Sequence, residues 1–77
     1  MVNIKDTKQL GKLIRSERKK QKITLVELSG LCNVGVRFLS ELENGKKTVQ
    51  FAKVMHILHS LGLEINIVKR TFDTWQD

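Results

Sequence analysis

The hydrophobic positions at the start of this chain follow a helical repeat. Leu10, Leu13 and Ile14 recur three and four residues apart, which predicts a helix over about residues 8–20 with Thr7 as its N-cap. The opposite side of this helix carries a basic stripe, which is either a solvated face or a set of phosphate contacts. The stripe consists of Lys8, Lys12, Arg15, Lys19 and Lys22.

A shorter helix is predicted next. Thr24 and Glu27 have the spacing of a capping box, so a helix begins at about Leu25. Arg18, which lies off the basic stripe, is expected to pair with Glu43 or Glu17. The apolar positions of the short helix, which we expect at the core, are Leu28, Leu31 and Cys32.

A tight turn and a second short helix follow. Asn33-Val34-Gly35 interrupts the repeat with residues that tolerate unusual backbone angles, and Val34 is expected to be buried there. The repeat resumes at Val36, continues with Leu39 and Leu42, and stops at Asn44-Gly45. Two short helices joined by a tight turn are typical of a helix-turn-helix DNA reader. The second helix would expose Val36, Arg37, Ser40 and Asn44.

A last amphipathic helix is predicted from Thr48 to Gly62. The lysines before it, together with the free amides at its start, would form a phosphate clamp made of Lys46, Lys47 and Thr48. The apolar positions of this helix are Phe51, Val54, Met55, Leu58 and Leu61.

Composition and charge narrow the choice of function. Seventy-seven residues allow one small domain, and a formal charge of +6 favours polyanions, with nucleic acid first among them. No membrane span or signal peptide is evident, so a cytoplasmic location is expected. Cys32, the only cysteine, is expected to be a small buried side chain.

Candidate chemistry is sparse. His56 and His59 lie three residues apart and could form a metal pair or a pH-sensitive patch, but no further ligand stands at a supporting spacing, and surface histidines are the simpler interpretation. No catalytic constellation is evident. We therefore expect no metal, no cofactor and no enzymatic activity.

The spacing of the hydrophobic positions changes after Gly62. Residues 63–69 alternate apolar and polar positions, as a half-buried strand does. A lone strand needs a partner for its backbone groups, and no second strand-like run is present. The pattern predicts a two-fold dimer built on an intermolecular antiparallel ribbon, although the segment could instead pack on its own helices. The interface residues would be Leu63, Ile65, Ile67 and Val68.

The predicted domain covers residues 7–69, and residues 70–77 are expected to form a flexible tail. Phe72 and Trp75 lie in that otherwise polar tail. They suggest a contact with a protein partner or folding back on the dimer.

From Leu10 to Arg70 the chain resembles the Xre/Cro-type helix-turn-helix regulators and, among them, the small HipB-like antitoxins. The run over residues 58–65 resembles the helix-to-strand ending of that subgroup. The other matching positions are Leu13-Ile14-Arg15, Arg18, Thr24, Glu27-Leu28, Val34, Arg37-Phe38, Ser40, Leu42-Glu43 and Gly45-Lys46.

This resemblance implies an all-α, lambda-repressor-like four-helix bundle with a helix-turn-helix and a C-terminal dimerising β-strand. It also implies a homodimeric repressor that binds an inverted-repeat operator on double-stranded DNA. A HipA-like Ser/Thr kinase toxin would be its protein partner, which it would neutralise while repressing their shared operon.

Three residues depart from the family pattern. Leu25 stands where a phosphate-holding glutamine is usual, Gly35 where a serine opens the recognition helix, and Asn33 where the turn usually has glycine. Arg37 and Ser40 remain the candidates for base edges, with Val36 available for a thymine methyl. The full candidate DNA surface is Thr24, Leu25, Gly35, Val36, Arg37, Ser40, Asn44, Lys46, Lys47 and Thr48.

Two alternatives stay open. The chain could be a stand-alone Xre-type repressor without a toxin, of phage or mobile-element origin. It could also be a protein-interaction subunit whose helix-turn-helix has lost specific DNA binding, for which Leu25 and Gly35 are the supporting residues.

Overall fold

The computed structural model describes residues 3–48 and 50–69, and these ranges contain four helices and no strand. Helix α1 packs on α3, α3 also packs on α2, and α2 packs on α4. The predicted all-helical architecture of four helices is therefore confirmed. The helices are α1 (Thr7–Lys20), α2 (Leu25–Cys32), α3 (Val36–Glu43) and α4 (Phe51–Ser60).

A hydrophobic core joins the four helices. Its buried members come from every helix and from the end of α4: Ile14, Leu28, Cys32, Leu39, Leu42, Val54, Ile57, Leu58 and Leu61. Burial of Cys32 agrees with the role expected for it. Val34, in the turn, is half-buried and packs against this core.

Two apolar residues that the helical repeat assigned to core faces are exposed. Leu31 is 64% exposed, because the inward face of α2 is centred on Leu28 and Cys32 and Leu31 lies roughly 80° around the helix from it. Phe51 is 60% exposed, since it is the first residue of α4 and the buried positions begin one turn later, at Val54. The prediction was wrong for both.

Helix α1 starts one residue earlier than predicted and has a different cap. The Asp6 carboxylate accepts a hydrogen bond from the Gln9 amide at 2.8 Å, so Asp6 is the N-cap and Thr7 is the first helical residue. The Thr7 hydroxyl instead donates to the Gly45 carbonyl at 2.7 Å, which ties the start of α1 to the end of α3. The prediction of Thr7 as a cap was wrong because a tertiary contact uses its hydroxyl.

Helix α4 begins at Phe51 rather than at Thr48, whose hydroxyl accepts from the Gln50 amide at 3.0 Å. Thr48 therefore belongs to the loop before the helix, and the prediction that the helix begins there was wrong. Phosphate contacts from Lys46, Lys47 and Thr48 stay a prediction. The predicted end is confirmed, because Gly62 has a φ of 81° and the Leu63 amide returns to the Leu58 carbonyl at 2.8 Å.

Residues 63–69 form neither helix nor strand within the single chain. Leu63 is half-buried against the core, whereas Ile65, Ile67 and Val68 are exposed, Ile67 to 92%. The predicted dimerising strand is not formed by residues 63–69 in the single chain. Strand pairing between two copies stays a prediction. The predicted tail over residues 70–77, with Phe72 and Trp75, lies outside the described residues.

Candidate nucleic-acid interface

The helix-turn-helix unit is formed by α2, the turn after it and α3. At the start of α2 the Thr24 hydroxyl accepts from the Glu27 amide at 3.0 Å, and the Glu27 carboxylate accepts from the Thr24 amide at 2.8 Å. This confirms the capping box. The hydrogen bond from the Thr24 backbone amide, with a smaller contribution from the Thr24 side chain, holds the pKa of the Glu27 carboxyl below its ordinary value.

The turn depends on one left-handed residue. Asn33 has φ 55° and ψ 44°, a left-handed conformation that asparagine tolerates. The Ser29 hydroxyl donates to the Val34 carbonyl at 2.8 Å and ties the turn back to α2. These contacts set the angle at which α3 leaves the turn.

The recognition helix α3 presents the polar face that its repeat predicted. The Arg37 side chain is 91% exposed, and Val36 and Asn44 are exposed beside it. Ser40 is half-buried, and its carbonyl accepts from the Asn44 side-chain amide at 2.8 Å. The predicted base-reading residues thus lie along one helix, with the arginine near its N-terminus.

Two of the three departures from the family pattern, Gly35 and Leu25, have different structural settings. Gly35 is the N-cap of α3 and supplies no side-chain hydrogen bond to the first turn. Leu25 is half-buried and packs against the core. Thr24 is exposed, but its hydroxyl is engaged in the capping box. At the start of α3, the polar groups left to contact DNA are therefore the backbone amides and the Arg37 side chain.

A shallow groove of about 420 Å³ lies beside α3. Lys46 and Lys47 are exposed along its edge, and the Lys53 ammonium of α4 lies 5.1 Å from the centre of the Phe38 ring. Three lysines from a loop and a second helix therefore flank the recognition helix. The groove is lined by Phe38, Glu41, Leu42, Lys46, Lys47, Thr48 and Gln50.

Glu41 was not among the predicted site residues. Its carboxylate lies 3.4 Å from Arg37 Nε and 3.2 Å from Lys46 Nζ, so it bridges two of the cations assigned to DNA binding. Mainly because of the hydrogen bond from Lys46, the pKa of the Glu41 carboxyl lies below its ordinary value. The four-residue spacing from Arg37 was the sequence signal that could have identified it.

Helix α3 is held on α1 by a buried ion pair. Arg18 donates from Nε and Nη2 to the two carboxylate oxygens of Glu43, at 2.7 and 3.0 Å. Nη1 of the same guanidinium donates to the Ile23 carbonyl at 2.9 Å. Of the two partners predicted for Arg18, Glu43 is the one it binds. The hydrogen bonds that Arg18 donates to Glu43 raise the pKa of Arg18 above its ordinary value.

The other candidate groups do not form a metal site within the described residues. Across residues 3–48 and 50–69, no three His, Cys, Asp or Glu side chains are grouped so that they could hold a metal ion. His56 and His59 are exposed on α4. No helix in this part of the chain is long and apolar enough to cross a membrane.

Comparison with known proteins agrees with this geometry. A family model described as helix-turn-helix matches residues 14–68. The chain belongs to this family of helix-turn-helix proteins. Within the family it is an Xre/Cro-type DNA-binding regulator.

Similar proteins come from bacteria and from a bacteriophage. The chain is 43% identical over 65 residues to the "uncharacterized HTH-type transcriptional regulator y4mF" of Sinorhizobium fredii (strain NBRC 101917 / NGR234), covering 84% of this chain and 86% of that protein. It is 29% identical over 66 residues to the "ImmF control region 10 kDa protein" of Bacillus phage phi105, covering 86% and 73%. The crystal structure of the clp gene regulator ClgR from C. glutamicum matches with a TM-score of 0.70 and 36% identity, covering 77% of this chain and 76% of ClgR.

Proposed function

We propose that the protein is a homodimeric transcriptional repressor that reads an inverted-repeat operator through α3. The observation that carries this proposal is the almost complete exposure of Arg37 near the N-terminus of α3, with Lys46 and Lys47 at the loop that follows. A helix with this charge placement can enter the major groove while the loop lysines meet the backbone.

Base reading would come from the exposed side of α3. Arg37 can donate two hydrogen bonds to a guanine, Ser40 can donate to or accept from a base edge, and Val36 can contact a thymine methyl. Asn44, exposed at the end of the helix, is a further polar contact. Because only a few side chains reach bases, each half-site would be read at few positions.

Phosphate contacts would supply much of the affinity. Lys46 and Lys47 are exposed, and the α3 N-terminus has no side-chain cap, so its amides can donate to a phosphate oxygen. Leu25 cannot donate to phosphate, and Gly35 has no side chain to contribute. The binding free energy would therefore depend strongly on salt and on dimerisation.

The dimer would form through residues 63–69. Ile65 and Ile67 lie two residues apart and are exposed in the single chain, as the facing positions of an unpaired strand would be. An antiparallel ribbon between two copies would bury them. If the dimer reads successive major grooves, its two α3 helices would lie about 34 Å apart.

We further propose that this repressor is the antitoxin of a HipA-like Ser/Thr kinase and represses their shared operon. Support comes from the resemblance over residues 58–65 and from exposed apolar side chains on α2, where Val26 is 68% exposed. Leu31 extends that surface. Phe72 and Trp75 are additional candidates for the kinase contact. The phage relative favours the alternative of a stand-alone repressor.

The repressor proposal is tested by selecting duplexes from a random pool with the purified protein. The expected result is an inverted repeat with half-site centres about 10 base pairs apart and an affinity that falls steeply with salt. Salt-sensitive binding without a selected motif would remove the claim of sequence-specific repression. Absence of salt-sensitive binding would favour a protein-interaction subunit instead.

The antitoxin proposal is tested separately by purifying the tagged protein from its own host and identifying what accompanies it by mass spectrometry. A stoichiometric kinase-like protein, whose toxicity is relieved by co-expression of this chain, is the expected result. Recovery of the homodimer alone, with DNA that salt releases, would leave the stand-alone repressor as the better account.

A further inference from the structure

An acidic side chain lies among the cations of the candidate DNA surface. Glu41 is on α3, is 34% exposed, and bridges Arg37 and Lys46 through one carboxylate oxygen. If the only role of this surface were to attract phosphate, a carboxylate would weaken it, because the negative charges of the carboxylate and the phosphate repel each other. We therefore looked to the effect of Glu41 on Arg37 and Lys46 for its role.

The bridge to Lys46 is built into the end of the helix. The Lys46 amide donates to the Glu41 carbonyl at 3.0 Å, and the Gly45 amide donates to the Leu42 carbonyl at 3.0 Å, which is the Schellman arrangement. Gly45 has the positive φ of 87° that this turn requires. The backbone thus places residue 46 beside residue 41, and the ammonium then reaches the carboxylate at 3.2 Å.

The bridge has a consequence for binding. A phosphate that recruits Arg37 or Lys46 must compete with the Glu41 carboxylate, and a displaced carboxylate is left close to the DNA anions. Non-specific complexes, which depend on phosphate contacts, carry this cost in full. A complex in which a base amino group donates to the carboxylate recovers part of it.

We propose that Glu41 is a specificity-determining residue that restrains Arg37 and Lys46 and selects against DNA without a base amino group within its reach. The inference rests on the proposed reading of DNA by α3. In the major groove the amino groups are cytosine N4 and adenine N6, whereas guanine O6 and N7 and thymine O4 only accept. An ionised carboxylate also only accepts, so it favours cytosine or adenine at the position it faces.

The test compares E41Q with the unchanged protein on the selected duplex and on a scrambled duplex of the same length, over a salt series. Glutamine keeps the shape of the side chain and removes its charge. The matched control is E17Q, which makes the same charge change on α1, at a residue whose carboxylate accepts a hydrogen bond from the Gln21 side-chain amide at 3.5 Å. Urea unfolding and circular dichroism establish that both variants are folded.

We expect E41Q to tighten binding to the scrambled duplex by about 3- to 10-fold at low salt, with a steeper salt dependence. The ratio of cognate to scrambled affinity should fall by at least about 5-fold. Repeated selection should lose discrimination against guanine and thymine at one position in each half-site, because the glutamine amide donates as well as accepts. E17Q should change both affinities by the same small factor and leave the ratio unchanged.

Contrary outcomes are distinguishable from one another. If the unchanged protein discriminates the two duplexes but E41Q keeps the same ratio as E17Q, the proposed role of Glu41 is wrong and the repressor function stands. If folded E41Q loses affinity for both duplexes equally, Glu41 only positions its neighbours. If the unchanged protein itself does not discriminate, the proposed function fails first.

Discussion

Gly11 of α1 lies directly against the carbonyl of Glu43 at the end of α3. A Cβ on residue 11 would be 2.6 Å from the Glu43 oxygen and 2.8 Å from its carbonyl carbon, and it would also overlap the Leu42 oxygen. The two helices approach this closely because residue 11 has no side chain. Since the obstruction is backbone, no rotamer change could relieve it. The backbone of α1 therefore packs directly against the end of α3.

Replacing Gly11 by alanine should lower the free energy of unfolding by about 2 kcal/mol, because the overlap with backbone outweighs the better helix propensity of alanine. Urea denaturation followed by circular dichroism measures the change. A neutral or stabilising result would contradict the close approach of α1 and α3.

The matched control is Gly30→Ala in α2. A Cβ there would meet no atom within 4 Å, and the residue lies inside a helix. This variant should gain about 0.5 to 1 kcal/mol from helix propensity alone. The two glycines thus make opposite predictions for the same chemical change, which separates the packing effect from the propensity effect.

The buried pair of Arg18 and Glu43 predicts a second stability effect. Arg18→Met keeps much of the side-chain volume but leaves the Glu43 carboxylate buried without its partner, which should cost about 3 kcal/mol. The double variant R18M/E43L should recover most of that loss, because both charges are then absent. Arg15→Met, at an exposed position of the same helix, should stay within about 0.5 kcal/mol of the unchanged protein.

Local signals were the predictable part of this fold. The spacing of Thr24 and Glu27 located the start of α2, and the left-handed tolerance of Asn33 and Gly45 located two chain reversals, because each signal involves only neighbouring residues. These signals, with the helical repeat, also placed Arg37 on the exposed side of α3.

The remaining features depend on contacts between distant parts of the chain. Thr7 caps no helix because its hydroxyl reaches Gly45, 38 residues away. Leu31 is exposed because the packing of α2 decides which of its apolar residues face inward. The spacing of Glu41 from Arg37 is a local signal, but the contact of Glu41 with Lys46 depends on the turn at the end of α3. No periodicity in the sequence encodes the contact of Thr7 with Gly45, the exposure of Leu31 or the contact of Lys46 with Glu41.

The capping box predicts a pH dependence of stability. Because hydrogen bonds from Thr24 lower the pKa of Glu27 in the folded chain, the stability they contribute is present above the unfolded pKa of about 4.5 and is lost as pH falls through the lower folded pKa. The melting temperature of Glu27→Gln should therefore lie below that of the unchanged protein at pH 7. The difference should shrink toward pH 3.

Loss of the Thr24 hydroxyl provides the control for this capping box. Thr24→Ala should lose about 1 kcal/mol at pH 7 through loss of the cap. Thermal melts of all three proteins between pH 3 and pH 7 measure the effect. A difference between Glu27→Gln and the unchanged protein that stays constant over this range would show that ionisation of Glu27 has no part in it.

Arg37→Ala should cost about 1 to 3 kcal/mol of binding free energy on the selected operator and relax the preference at one base position. The physical reason is the loss of a two-donor contact to a base edge by a side chain that the fold leaves exposed. Fluorescence anisotropy titrations on the operator and on single-base variants measure it. Arg15→Ala is the matched control, and an equal loss for Arg37→Ala on every sequence would make Arg37 a phosphate contact.

The dimer prediction concerns the two isoleucines that alternate along residues 63–69. If Ile65 and Ile67 face a second copy in an antiparallel ribbon, then I65K/I67K places charge in that interface and should give monomers in sedimentation velocity experiments. The variant E64Q/N66K changes the net charge by the same amount on the opposite face and should remain dimeric. Because each half-site offers few base contacts, the monomeric variant should also lose operator affinity far more than E64Q/N66K does. A dimer that survives I65K/I67K would place the interface elsewhere and remove the ribbon from the proposed mechanism.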